Sequence, residues 1–253
     1  MILTPLTGLP LVEPGDNIAG LIQDELRRLK IKLENGDVFV IAQKIVSKSE
    51  GRLVNLTQVT PSQEAIELAD RVQKDARFVE LVLRESTSVL RTRPGTLIVE
   101  HKLGFICANA GIDHSNVRGP WGNQDDWVLL LPENPDLSAS QIRHELEKVE
   151  DVRLGVIIID SHGRAWRMGI VGATIGLSGV PGLVDLRGVP DLFGYQLRIT
   201  QVAAADELAA GASLLMGQAA EKSPVVHVHG FPYPLREASL RELIRPQNED
   251  LFR

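Results

Sequence analysis

The chain of 253 residues has a single cysteine, Cys107. This excludes an intrachain disulfide and a thiolate metal site. It also lacks an excess of positive charge, since 27 Lys and Arg against 33 Asp and Glu leave a formal net charge of −6. A nucleic-acid protein held by bulk electrostatics is therefore not expected, although a local cationic pocket for a small anion remains open. No apolar run approaches the roughly 20 residues of a membrane span, so no membrane partner is expected. The opening Met1, Ile2, Leu3, Thr4 and Pro5 lack a basic segment followed by a long apolar core. No secretory leader is expected, and a reducing cytoplasm is the expected location. The glycines at 169, 172, 176, 179 and 182 are not closed by Gly-Lys-Ser/Thr and form no dinucleotide fingerprint. They read as sites of close backbone packing, and any nucleotide site must be of another kind. There is no internal repeat and no flexible linker.

Hydrophobic residues make up 43% and charged residues 24% of the chain, enough apolar material for one large domain or two close lobes. Buried strands are expected at 2–6, 37–42, 96–99, 103–108, 154–159 and 224–228, with a short apolar segment at 128–131. Asp16 is the expected N-cap of a helix carrying Ile18, Leu21, Ile22, Leu26 and Leu29. Thr60-Pro61-Ser62-Gln63 reads as a capping box with Pro at the first helical position, opening a helix to about 73. Another helix is expected over 76–90. Ser138-Ala139-Ser140-Gln141 reads as a second capping box, for a helix to about 149. An Ala-rich helix lies within 199–216, carrying Asp206 and Glu207 as exposed or capping groups, and a polar helix is expected within 239–253.

Chemistry gathers where apolar strands give way to polar residues. After 103–108 come Asn109, Ala110, Gly111, Ile112, Asp113, His114, Ser115 and Asn116. Hard oxygen donors on a loop at a strand end suit a divalent cation bound to phosphate, and equally suit a polar turn that satisfies its own backbone. After 37–42 comes Gln43, followed by Lys44, Lys48 and Arg52, cations that could meet a polyphosphate or form a solvated turn. After 154–159 come Asp160, Ser161, His162, Gly163 and Arg164. A carboxylate beside a hydroxyl at a strand end can hold Mg²⁺ or Mn²⁺, and ligands collect at such ends in open α/β sheets. His162 is either a general base or ligand, or a surface histidine. Trp121 and Trp127 could stack on a planar ligand or anchor the 118–127 loop. His227 and His229 point the same way along a strand and could bind metal, but no third ligand is evident. Gln218 offers an amide oxygen after the helix that Gly217 caps.

Together these blocks resemble the coenzyme F420-0:γ-glutamyl ligase family, which adds glutamate to the deazaflavin coenzyme F420. The most specific pieces are the blocks at 43–52, 109–116 and 160–164, and Leu214-Leu215-Met216-Gly217. The length matches the stand-alone form, without the added flavin reductase-like domain. The resemblance implies an α+β fold of mixed sheets and packed helices, in two closely associated lobes, forming an intertwined homodimer. It implies a GTP-dependent amide ligase acting on the F420 precursor and L-glutamate, with two divalent cations, Mn²⁺ or Mg²⁺, and K⁺. Asp113 and Asp160 would hold one cation; Ser161 and Gln218 would hold the second. Lys48 would join the two aspartates in catalysis. GTP would be contacted by Leu9, Pro10, Leu11, Val12, Gln43, Lys44, Lys48, Asn116, Met216, Gly217, Gln218, Ala219, Ala220, Glu221, Lys222 and Ser223. One family relative has a threonine where this chain has Ser161, and a glutamate where it has Gln218. The hydroxyl is kept; one negative charge is lost. The rival readings are a ligase for another carboxylate acceptor, a metal-dependent phosphohydrolase, and a nucleotide-binding regulatory subunit without turnover.

Overall fold

Two apolar runs, 38–42 and 155–159, lie side by side and parallel at the centre of the main sheet. Both are buried on both faces, which is why they read as continuous apolar stretches rather than alternating ones. The computed structural model describes residues 1–251, an α+β arrangement. Its strands are β1 (Ile2–Leu6), β2 (Val38–Ala42), β3 (Leu53–Asn55), β4 (Ser86–Arg93), β5 (Thr96–His101), β6 (Ile106–Ala108), β7 (Trp127–Leu129), β8 (Gly155–Arg164), β9 (Arg167–Ser178), β10 (Val184–Asp185), β11 (Gln201–Val202) and β12 (Val225–His229). Its helices are α1 (Ile18–Leu29), α2 (Gln43–Ser49), α3 (Gln63–Val72), α4 (Ala76–Arg84), α5 (Pro135–Glu150) and α6 (Ala204–Met216).

The main sheet runs β1-β12-β2-β8-β9, and β2-β8 is its parallel pair. One face packs on α1 and α5 through Phe39, Ile41, Val156 and Ile158. The other packs on α6 through Val38, Val40, Ile157 and Ile159. A three-stranded sheet, β4-β5-β6, lies with α3 and α4 over Leu97, Val99 and Cys107. Phe105 packs against both this core and that of the main sheet. Among the described residues no helix is long and apolar enough to cross a membrane.

Several boundaries differ from the sequence expectation. Asn17, not Asp16, caps α1, its side chain accepting the Gly20 amide; Asp16 instead accepts the Glu13 amide. The 43–52 block is a helix at its start, because Ile45 and Val46 turn into the core while Lys44 and Lys48, one turn apart, face out. Ser62 caps α3 directly, so Pro61 lies outside the helix. The 76–90 helix stops at Arg84, where the hydroxyl and β-branched run Ser86, Thr87, Ser88 and Val89 turns into β4. The 103–108 strand is short: residues 103–105 form the turn into β6. Asn134 caps α5, with Pro135 at its first position; Ser138 lies inside the helix and bonds Glu50. The polar tail forms only the 3₁₀ turns Leu240–Glu242 and Gln247–Glu249, and the end of that expected helix, 252–253, lies outside the described residues.

His227 and His229 share a face as expected, but both turn to the buried Asp37. His227 Nε2 lies 2.8 Å from one carboxylate oxygen and His229 Nδ1 2.9 Å from the other. Burial pushes this carboxyl up, yet the hydrogen bonds from His227, the Glu34 amide and His229 outweigh it, leaving it below its usual value. Asp206 accepts the Thr174 amide at 2.9 Å, tying α6 to β9.

Of the β9 glycines expected at sites of close packing, Gly172 and Gly176 are such sites, whereas Gly169 is not: nothing lies within 4 Å of a Cβ there, and its φ of 80° is the left-handed region that favours glycine. A Cβ at Gly176 would meet Pro135 backbone carbon at 2.5 Å, and one at Gly172 would meet Ala209 carbonyl oxygen at 2.6 Å. Gly163, on the adjoining strand, has nothing within 4 Å. Gly176→Ala is therefore expected to destabilise the fold by about 1–3 kcal/mol through overpacking, while Gly163→Ala stays close to wild type. Urea unfolding of the two variants measures the difference.

Candidate active site

The parallel pair β2-β8 sets the position of the site. β2 ends at Ala42, opposite Ile159, and α2 starts at the next residue. β8 runs on past that point, paired only with β9 through Asp160, Ser161 and His162. Asp160 and Ser161 are thus not at the end of their own strand, as expected, but just beyond the end of its parallel partner. That is still where an open α/β sheet leaves a crevice. Strand alternation sends Asp160 and His162 to one face and Ser161 to the other.

On the first face, Asp113 is fixed by its backbone, which exchanges two hydrogen bonds with Leu129, both 2.9 Å. The chain reaches this position through a tight turn in which Asn109, Ala110 and Gly111 all have positive φ, 52°, 53° and 64°. Asn109 holds the turn by accepting the Leu97 amide at 3.1 Å. A Cβ at Gly111 would fall 2.7 Å from the Leu131 side chain, so only glycine fits there.

The first turns of α2 meet this loop. Buried Gln43 takes a hydrogen bond from Ser47 on its oxygen and donates from its nitrogen to Asp113 at 2.5 Å. Lys44 Nζ lies 3.2 Å from the other Asp113 oxygen and 3.0 Å from the Ser115 hydroxyl. Lys48 Nζ donates to the Asn116 carbonyl at 2.8 Å, and Asn116 donates to the Ala219 carbonyl at 2.9 Å. Burial, with the neighbouring Lys44 ammonium, pushes the Lys48 pKa down; the Asp113 carboxylate opposes this.

Burial pushes the Asp113 carboxyl up to about 6, against Lys44 and with the Asp160 carboxylate. A buried carboxyl whose ionised form is disfavoured by a second carboxylate nearby gains from a bound cation. On the second face, Ser161 Oγ donates to Gln218 Oε1 at 2.8 Å, and Gln218 Nε2 donates to Ser213 Oγ at 3.1 Å. Among the described residues no three His, Cys, Asp or Glu side chains converge as a metal cage. The donors present, all hard oxygens and few in number, suit Mg²⁺ or Mn²⁺ completed by substrate phosphates.

The structure thus joins Gln43, Lys44, Lys48, Asp113 and Asn116 to the 216–223 loop, and Ser161 to Gln218. In that loop Ala219 is clasped by Glu221, whose carboxylate accepts its amide at 2.7 Å; Ser223 is buried, and Ala220 and Lys222 are exposed. Met216 is buried in the α6 core, and Gly217 caps that helix with φ 72°. Among the described residues, Leu9, Pro10, Leu11 and Val12 make no hydrogen bond to this cluster. Val12 is packed in the core with Ile45, and Leu11 is 81% exposed. Trp127 is buried and donates to the Trp121 carbonyl, so it anchors its loop; Trp121 stays half-exposed. Ser47, Ser213 and Phe105 were not legible as site residues, because a serine within a helix and a Phe in an apolar run carry no mark of a partner far along the chain.

The family model described as F420-0:Gamma-glutamyl ligase matches residues 8–230. A protein of Methanopyrus kandleri named coenzyme F420:L-glutamate ligase is 45% identical over 246 residues, covering 96% of this chain and 93% of its own. Proteins of the same name from Methanocaldococcus jannaschii and Archaeoglobus fulgidus are 43% and 42% identical, covering 97% and 98% of this chain and 94% and 95% of their own.

In the metal-free protein the Asp113 carboxyl is expected to lose its proton near pH 6. Lys44→Met removes the charge that favours the ionised form, so the midpoint should rise further. Carboxyl carbon shifts followed against pH by NMR measure both; an unchanged or lower midpoint in the variant contradicts the pairing.

Proposed function

The chain belongs to the F420-0:γ-glutamyl ligase family, and from that premise we propose that it is a GTP-dependent amide ligase. It joins L-glutamate to the F420 precursor in the cytoplasm, with two divalent cations, Mn²⁺ or Mg²⁺, and K⁺ as a stimulant. The observation that carries this reading is the meeting of four separate chain segments, 43–48, 113–116, 160–161 and 216–223, around two carboxylates and two lysines.

A carboxylate does not acylate an amine at neutral pH, because its leaving group would be oxide. In the proposed reaction a carboxylate oxygen of the acceptor attacks the γ-phosphorus of GTP. The bond from that phosphorus to the β-bridging oxygen breaks, GDP leaves and an acyl phosphate forms. The glutamate amine then attacks the acyl carbon; the carbon–nitrogen bond forms, and phosphate departs with one former carboxylate oxygen. Bound cations supply charge neutralisation on the phosphate oxygens. Asp113 and Asp160 are the residues that would hold one of them, and Ser161 and Gln218 the other. Lys44 and Lys48 project from one face of α2 and present ammonium groups to the transferring phosphoryl group. Gln43 and the Leu129 backbone hold Asp113 in place. Asn116, bonded to the 219 carbonyl, ties the loop of Asp113 to the loop of Gln218.

We also propose that the chain is a homodimer. Met168 and Ile170 on the β8-β9 hairpin, with Leu192, Phe193 and Ile199 on the segment around β10 and β11, are large apolar side chains 53–97% exposed. Large apolar side chains left this exposed fit a surface that a second copy of the chain would cover. Light scattering is expected to return twice the chain mass, and Met168→Asp with Ile170→Asp to lower it; a monomeric wild type contradicts the proposal.

Incubation with unglutamylated F420 precursor, GTP, L-glutamate and Mn²⁺, followed by mass spectrometry, tests the activity. A gain of one or more glutamyl units requiring both GTP and metal is expected. Asp113→Ala and Asp160→Ala should each lower the rate by on the order of 10²-fold or more. Phosphate release from GTP without any gain of mass would indicate a hydrolase or another acceptor, and full activity of Asp160→Ala with excess Mn²⁺ would refute its role.

A further inference from the structure

The end of β8 that carries Asp160 is supported on one edge only. β2 stops at Ala42, opposite Ile159, so from Asp160 to Gly163 the strand pairs with β9 alone. No atom would lie within 4 Å of a Cβ at Gly163. A carboxylate on such an overhang needs a side-chain brace to keep one orientation.

His162 stands where that brace is needed. It lies two residues on from Asp160, on the same face of the strand. Its Nε2 is 3.1 Å from Asp160 Oδ2, and both side chains are largely buried, 13% and 11% exposed. That nitrogen is buried and makes no hydrogen bond in this geometry. The ring is backed by Phe105, with centroids 5.1 Å apart. Phe105 in turn stacks on His101 at 5.2 Å and 8°. His101 is buried in the three-stranded sheet and accepts the Leu103 amide on Nδ1. A row of three rings therefore runs from the second sheet to the Asp160 carboxylate.

We infer that His162 is a positioning residue for Asp160: its Nε2–H, steadied by Phe105, claims Oδ2 and leaves the other oxygen to face a divalent cation. This rests on the reading of Asp160 as a cation ligand. A carboxylate that turns to meet a cation brings Oδ2 into line with the waiting N–H, which satisfies the buried donor. In this arrangement Nε2, enclosed beside Asp160, is not free to take a proton from the glutamate amine.

Mn²⁺ binding followed by electron paramagnetic resonance tests this without turnover. His162→Phe keeps the packing on Phe105 and removes the donor. It is expected to weaken Mn²⁺ binding by about 10–100-fold, the usual effect of losing a ligand's supporting partner. His162→Gln restores a side-chain N–H and is expected to recover most of the affinity. Phe105→Leu, which loosens the imidazole and touches neither polar atom, should weaken binding by a smaller factor. Thermal unfolding confirms that each variant is folded, and Phe105→Leu with His162→Gln carry the test if His162→Phe is not. Wild-type affinity in His162→Phe, or in Phe105→Leu if that variant must serve, overturns the inference. Failure of a folded His162→Gln to recover affinity also overturns it, by assigning the effect to packing. Asp160→Ala separates the two levels. If it binds Mn²⁺ as wild type does, the cation-ligand reading of Asp160 fails and the inference falls with it; if it loses Mn²⁺ while His162→Phe does not, the inference alone fails.

Discussion

Two carboxylates brought together in a half-buried cleft, with Lys44 set against Asp113, are the constraint around which this structure is arranged. Asp160 lies on β8 of the main sheet and Asp113 on the loop after β6, bridged to Leu129 of β7, and the Asp160 carboxylate makes ionisation of Asp113 harder. A fold gains nothing from such a pair by itself. It is tolerated because Lys44 sits on one Asp113 oxygen and Gln43 donates to the other. A ligand that brings positive charge would relieve the repulsion, and one that brings phosphate would meet the ammonium groups of Lys44 and Lys48 beside Asp113 and Asn116. In the proposed reaction, a metal–polyphosphate substrate would relieve an electrostatic mismatch that the free protein only partly settles.

The main sheet makes this arrangement possible by ending its central strands at different places. β2 hands over to α2 just where β8 continues, so a helix start and a strand overhang face each other across a gap. The 109–116 loop closes that gap from the second sheet, held by its bonds to Leu97 and Leu129. The 216–223 loop closes it from α6 through Asn116 and Ser161. None of the four segments makes a site alone. Gly176 and Gly172 of β9 allow α5 and α6, respectively, to come close to the sheet. The same arrangement leaves Asp160 without a strand neighbour on one edge, while the rings of His162 and Phe105 pack on the face that its carboxylate occupies.

The central strands were legible in the sequence because continuous β-branched and apolar runs have few other uses. The site blocks were legible as chemistry, since Asp, Ser, Lys and Asn follow those runs abruptly. Their convergence was not legible, because no local signal tells Lys44 that it lies beside Asp113, 69 residues on by the chain numbering; the resemblance to a family supplied that link. Helix boundaries failed where two signals competed. Ser138 looked like a cap, but Asn134 followed by Pro135 was the stronger one. The 43–52 block looked like a turn because its polar residues outnumber Ile45 and Val46, whose burial makes the helix. Asp37 shows the opposite error of emphasis. Two histidines suggested metal, and the buried carboxylate that occupies them lies some 190 residues earlier, out of reach of any local pattern.

The most direct test of the central claim follows the oxygen atoms. An acceptor with ¹⁸O in its carboxylate, supplied with GTP, L-glutamate and cation, must pass one label to phosphate if its carboxylate is phosphorylated before the amine attacks. The account predicts one ¹⁸O in inorganic phosphate for each amide formed. Amide formation with no label in phosphate would contradict it, and would require the cleft to activate the carboxylate in another way.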